Sequence, residues 1–257
     1  MKIELKKGLL RLPLILLIPL AFVIFLLFNP SFFYNRETQI ENYTIYHQQE
    51  LDPQLGRQLA KVDSMLRKSE LYEERLDLKI CLNEGAVYPQ IMKALWGDAF
   101  GWGMSNIVVI NGEMDLAQNI VTHHGYQWNL EQLLLHELTH CLQFHTFGLW
   151  NSNPFAKYPK WKWEGYAEYI ARQGKGQHSL LKNMERIESA RMVDPDEWGV
   201  FFEDKTVAPR QYYDYWLMVQ YCMEVKKMSY RKLLKKKINK EELEEEMMMW
   251  YDLKVRN

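Results

Sequence analysis

The first feature of the chain's hydrophobic and polar pattern is an uninterrupted apolar run. No charged residue occurs from Leu12 to Asn35, and Leu12 to Phe28 (LPLILLIPLAFVIFLLF) is apolar throughout. At about 1.5 Å per helical residue, Leu9 to Phe33 is long enough for a hydrocarbon layer of ~30 Å. The pattern predicts one transmembrane helix, with Arg11 snorkelling at one end and Phe32, Phe33 and Tyr34 at the other interface. Lys2, Lys6, Lys7 and Arg11 precede the run and only Arg36 follows closely, so the positive-inside rule keeps the N-terminus cytoplasmic and exports the rest. Phe28-Asn29-Pro30 is bulky where signal peptidase needs small side chains, which favours an uncleaved signal-anchor over a cleaved signal peptide.

Beyond this run the pattern turns amphipathic. Residues 36–51 are polar and rich in Gln, Glu and Tyr, and are expected to link the anchor of residues 1–35 to one domain over 52–257. Asp52 is placed to cap a helix with Pro53 at its first position, and Leu55, Leu59, Val62 and Leu66 recur at helical spacing. Leu78, Ile80 and Leu82 alternate with Lys79 and Cys81 as in a half-buried strand, and Ile107 to Ile110 (IVVI) is a short β-branched run ending at Asn111-Gly112. Asn129 as N-cap, Gln132 as its capping-box partner and Glu131 in the first turn then predict a helix to about Phe144. A second helix, from Pro159 or Trp161 to Arg172, is closed by Gly174 and Gly176. From Gln177 onward the pattern is helical. Asn239 caps a segment opening with Glu241 and Glu242, and Lys235 to Lys237 close the one before. The expected fold class is α+β: a small twisted sheet over the helix that follows Asn129, then a mostly helical C-terminal half.

Composition narrows the function. Hydrophobic residues make up 47% of the 257 and charged residues 25%, too apolar for a disordered chain. A formal net charge of −1 supplies none of the excess that neutralises phosphates, so no nucleic-acid partner is expected. Cys81, Cys141 and Cys222 are too few and too scattered for a disulfide framework or a CxxC metal site. Export permits one disulfide, while buried apolar thiols are the simpler expectation.

The chemistry lies in His136-Glu137-Leu138-Thr139-His140, an HExxH sequence inside the helix that Asn129 caps. Residues four apart share a helix face, so both imidazoles can reach one ion at about 2.0–2.1 Å, as zinc requires. Glu137 beside them is placed to move a proton. A catalytic zinc site takes three protein ligands and leaves one position open. A third histidine in the pattern HExxHxxGxxH fails here, because Gln143 stands where Gly is needed and Thr146 where His is needed. His145 is one residue out of register and reads as a helix-end histidine. Downstream, Trp161-Lys162-Trp163-Glu164-Gly165-Tyr166-Ala167-Glu168-Tyr169 puts two carboxylates four apart on a second helix, so one can bind metal while the other accepts a hydrogen bond from a ligating imidazole.

HELTH followed by WKWEGYAEY resembles the gluzincin metallopeptidases, the group that includes thermolysin and aminopeptidase N. The resemblance covers about residues 100 to 172 and, weakly, on to 230. It implies a zincin-like fold and one Zn2+ held by His136, His140 and Glu164. It also implies Glu137 as general base and acid, and Glu168 as the carboxylate that orients a zinc histidine. Twenty-three residues separate His140 from Glu164, more than in the best-known members, and an insertion carrying Asn151-Ser152-Asn153-Pro154 can absorb the difference. By the same resemblance, Gly103 to Ile110 is the edge strand that pairs with bound peptide. Tyr212, from Gln211-Tyr212-Tyr213-Asp214-Tyr215, stabilises the oxyanion, with His123 and His124 as alternatives. The resulting expectation is a single-pass membrane zinc peptidase whose catalytic domain acts on peptide or protein substrates outside the cytoplasmic membrane. A catalytically idle scaffold of the same fold is the competing expectation, and retention of Glu137 argues against it.

Overall fold

The computed structural model describes residues 18–19, 21–152, 157–174 and 176–256. Its centre is a five-stranded mixed sheet in the order β1-β2-β3-β5-β4. The strands are β1 (Arg36–Ile40), β2 (Tyr43–His47), β3 (Leu78–Cys81), β4 (Gly101–Met104) and β5 (Ile107–Ile110). β2, β3 and β5 run parallel, and antiparallel β1 and β4 close the two edges. Alternation explains why these short runs are apolar on both sides. Tyr43, Ile45, Ile80, Val108 and Ile110 enter the main core, whereas Tyr46, Cys81, Ile107 and Val109 enter a smaller one on the opposite face.

Helix α1 (Gln54–Leu66) buries Leu55, Leu59, Val62 and Leu66 in the main core, as their spacing predicts. Pro53 is its N-cap, and the Asp52 carboxylate accepts from the Gln54 N–H at 2.7 Å. Helix α2 (Val87–Trp96) covers the smaller core with Tyr88 and Met92. A three-stranded meander, β6 (Glu113–Asp115), β7 (Ile120–His123) and β8 (Tyr126–Asn129), leads into α3 (Leu130–Phe147), the HExxH helix. Helices α4 (Lys160–Ala171) and α5 (Leu180–Val193) follow. Next come the hairpin β9 (Gly199–Phe201) and β10 (Val207–Pro209), then α6 (Arg210–Gln220), α7 (Tyr230–Lys235) and α8 (Lys240–Val255). The class is α+β, and the helical second half carries one small hairpin that its sequence pattern did not announce.

Two expectations at the N-terminal side change. Residues 36–51 are not a linker: β1 and β2 lie within them, and all of β2 is buried between β1 and β3. The reason is β-propensity; Tyr43, Thr44, Ile45 and Tyr46 fit a pleat buried on both faces, although β1 beside them is exposed and polar. Tyr34 is a packing residue, not an interface one, because it is buried and its hydroxyl donates to the Leu82 carbonyl at 3.0 Å. The expected span from Leu9 to Phe33 begins outside the described residues. Among the described residues no helix is long and apolar enough to cross a membrane. Residues 21–28 are helical and several of their side chains, Phe22 and Phe25 included, are exposed.

All three cysteines are buried with free thiols.

Candidate metal centre

Helix α3 is fixed at both ends. The Asn129 side chain accepts from the Gln132 N–H at 3.1 Å, and Gly148 closes the far end with positive φ. The Gln132 side chain does not complete a capping box. It donates to Gln177 and accepts from Arg172 instead. Helix α4 crosses α3 and also meets α6 at unusually short range. Gly165 permits this, because a Cβ there would lie 2.7 Å from the Tyr215 carbonyl carbon and 2.8 Å from Val219 Cγ2. That crossing delivers Tyr212, at the start of α6, to the centre.

There the structure brings together His136, His140 and Glu164, all buried. His140 Nε2 lies 3.0 Å from His136 Nε2 and 3.1 Å from Glu164 Oε2, and His136 Nε2 lies 3.4 Å from that oxygen. The far side of each ring decides where its proton sits. His140 Nδ1 is 2.7 Å from Gln143 Oε1, while Gln143 Nε2 donates to the Trp163 carbonyl at 2.9 Å and the Tyr230 hydroxyl at 2.7 Å. The Trp163 carbonyl can only accept, which fixes the Gln143 amide and makes its oxygen an acceptor; Nδ1 therefore carries the hydrogen and Nε2 presents its lone pair. His136 Nδ1 faces Glu168 Oε1 at 3.1 Å, off the alignment of a straight hydrogen bond, and neither atom has another partner among the described residues. An ionised Glu168 only accepts, so His136 too turns a lone pair inward.

With each ring in its neutral Nδ1–H form, three electron-rich atoms converge. Bonds of about 2.0–2.1 Å in a tetrahedral zinc site set neighbouring ligand atoms about 3.3–3.4 Å apart. The observed 3.0, 3.1 and 3.4 Å fit that spacing, and two imidazoles with one carboxylate are a zinc donor set. With no cation, protons balance the charge. Burial disfavours the charged form of His136, but Glu164 and Glu168 outweigh it and lift His136 to about 10; Glu164 likewise lifts His140 against burial. Burial would raise Glu164, yet His140 and His136 hold it well below the usual carboxylate range.

Glu168 is completely buried, and Arg172 opposes the burial penalty at 2.5 Å, holding the carboxyl at about 2 together with His136. Arg172 is itself sandwiched near Phe202 and Trp216. Glu137 is buried at the wall of a cavity of about 660 Å³ that also reaches His136, His140, Glu164 and Tyr212. Burial raises the Glu137 carboxyl above its ordinary value, against the pull of His136 and His140 and of a hydrogen bond from the Gly103 backbone. Gly103 comes this close because it has no side chain; a Cβ would lie 2.8 Å from the Glu137 carbonyl carbon and closer still to its oxygen.

Tyr212 stacks on His136 with centroids 6.0 Å apart, and burial together with Glu164, Glu137 and Glu168 raises its hydroxyl. Of the expected edge strand Gly103–Ile110, only Gly103 and Met104 lie on an edge, as the end of β4 (Gly101–Met104); Ile107–Ile110 lies inside the sheet, because the chain reverses at Ser105, where φ is 56°. His123 and His124 bind Asp98 and do not line the cavity, and His145 pairs with Glu73 at the helix end. Asn153 and Pro154 lie outside the described residues, whereas Ser152 is buried at the cavity wall. The sequence reading missed Gln143 and Arg172. Gln143 follows His140 by three and Arg172 follows Glu168 by four, spacings that put each on its partner's helix face.

No protein-family model matches this chain, and no curated protein is significantly similar to it.

Proposed function

We propose that the protein is a zinc-dependent peptidase with a zincin-like fold, anchored by its N-terminal apolar run, with its catalytic domain outside the cytoplasmic membrane. The observation that carries the proposal is the inward convergence of His136 Nε2, His140 Nε2 and Glu164 Oε2, with Gln143 Oε1 accepting from His140 Nδ1 and Glu168 Oε1 facing His136 Nδ1 at 3.1 Å. Zinc bound by these residues supplies Lewis acidity and brings the pKa of its water towards about 7.

The rest is the work of the chain's own groups. Glu137, its carboxyl raised by burial against the pull of the two imidazoles, is the group placed to take a proton from the attacking water and pass it to the leaving amine. The Tyr212 hydroxyl, which makes no hydrogen bond among the described residues, donates to the scissile carbonyl oxygen as charge develops there. The free edge of β4 runs along the same cavity, so an extended peptide can add to it as a further strand. Gly103 connects the two functions by setting β4 against the backbone of Glu137.

The test uses the purified full chain, zinc analysis and a peptide library read by mass spectrometry. Expected are library cleavage by the wild type and, for Glu137→Gln, retained zinc with hydrolysis reduced by about 10²–10⁴-fold. A wild type that holds zinc but cleaves nothing supports the idle-scaffold alternative. A Glu137→Gln variant of undiminished activity removes Glu137 from the mechanism.

A further inference from the structure

A second group of metal-ligating side chains sits at the mouth of the cavity. The β7–β8 hairpin turns through His124 and Gly125, with φ of 50° and 80°. Successive side chains in a strand point to opposite faces, so an extended His123-His124 could not aim both rings at one target. The left-handed His124 reverses this and leaves the two ring centroids 4.1 Å apart. His123 Nε2 then lies 2.9 Å from Asp98 Oδ1 and His124 Nε2 lies 2.5 Å from Asp98 Oδ2, all three ligand atoms falling within 4.8 Å of one another.

We propose that Asp98, His123 and His124 form a rim site for a divalent transition-metal ion of the zinc class. Two imidazoles and a carboxylate suit zinc, copper or nickel; calcium and magnesium call for oxygen donors throughout. Two neighbours limit its strength. Lys93 Nζ lies 3.1 Å from Asp98 Oδ1 and has to swing away, which its exposed side chain can do. Asn111 Nδ2 stands 3.4 Å from both Asp98 Oδ1 and His123 Nε2, directed mainly at the Ala99 carbonyl. The rim site is also far more exposed than the centre on α3, so it fills second.

Its position gives it a role. Asp98 lines the cavity and opens the short segment that runs into edge strand β4. An ion held there ties the hairpin to the root of the strand proposed to receive substrate. His123 packs on Phe100, Phe100 on Trp128, and Trp128 on His136, an aromatic line from the rim to the centre.

The experiment is equilibrium dialysis of the chelator-stripped full chain against zinc alone, followed by metal analysis. The wild type is expected to take up two equivalents, a tight one and a weaker one. His124→Asn keeps the turn, because Asn accepts the left-handed conformation, and is expected to lose the weaker equivalent alone, as is Asp98→Asn. His136→Ala is expected to lose the tight equivalent and keep the weaker one, which separates the failure of one site from the failure of the other. A wild type that saturates without a second equivalent, or a His124→Asn variant that still binds both, overturns the rim site.

Discussion

Gln143 offers the most informative perturbation, because one amide serves both the fold and the proposed metal centre. It is completely buried and holds His140 Nδ1, the Trp163 carbonyl and the Tyr230 hydroxyl within 2.7–2.9 Å. Gln143→Leu keeps the volume and leaves His140 Nδ1 and the Tyr230 hydroxyl without this partner, whereas the Trp163 carbonyl keeps its place in the α4 hydrogen-bond ladder. At about 1–3 kcal/mol for each unsatisfied buried group, the loss is roughly 2 kcal/mol at least. For a domain of this size 1 kcal/mol moves the midpoint by about 2–4 °C, so Tm falls by about 4 °C or more. The freed His140 ring also loses its tautomer and orientation, which lowers zinc affinity about 10–100-fold. Gln143→Glu separates the two effects: it keeps the acceptor for His140 and loses the donor to Trp163 and Tyr230. It should melt lower yet bind zinc as tightly as the wild type. Thermal melts and competitive chelator titration read the two quantities independently. If Gln143→Leu melts lower but binds zinc with undiminished affinity, Gln143 is a packing residue and the tautomer assignment for His140 fails.

Three further substitutions test other parts of the centre. Tyr212→Phe should retain zinc and lower kcat by about 10²–10³-fold with KM little changed; an equal loss in KM alone would show that Tyr212 binds substrate and does not act on the transition state. Arg172→Met strands the buried Glu168 charge and should cost about 3–5 kcal/mol in urea unfolding. Adding Glu168→Gln should recover part of that loss, and no recovery would mean that the aromatic packing of Arg172, not its charge, carries the effect. Gly103→Ala should push β4 off the helix and cut hydrolysis by about 10²-fold with zinc retained, whereas wild-type turnover would show that β4 does not position Glu137.

Much of the centre was legible because its spacing is dictated by one helix. His136, Glu137 and His140 follow from a single turn, and Asn129 announces that helix independently. Glu164 and Glu168 could be paired with it only through resemblance, since nothing local says which carboxylate meets which ring. Gln143 escaped because position 143 was weighed only as a missing glycine, although three residues on from His140 is a reach that side chains use routinely. Arg172 escaped because a lone cation at a helix end reads as a solvent-facing group, and only the tertiary fold buries it between Phe202 and Trp216. The sheet was read in part. β3 and β5 alternate clearly, whereas β1 is exposed and polar and β2 carries Thr44 and His47, so local pattern resembled a tether. The β7–β8 turn was hidden because His124-Gly125 lacks the Asn or Asp that usually marks it.

The central claim is that two imidazoles of α3 and a carboxylate of α4 meet at one cation. The most direct measurement is zinc K-edge X-ray absorption on the full chain loaded with one equivalent of zinc, compared with Glu164→Ala. The expected spectrum has two imidazole nitrogens and oxygen about 2.0–2.1 Å from the zinc, and a weaker, rearranged site once Glu164 is removed. A shell without paired imidazoles, or a spectrum and affinity unchanged by Glu164→Ala, would contradict it.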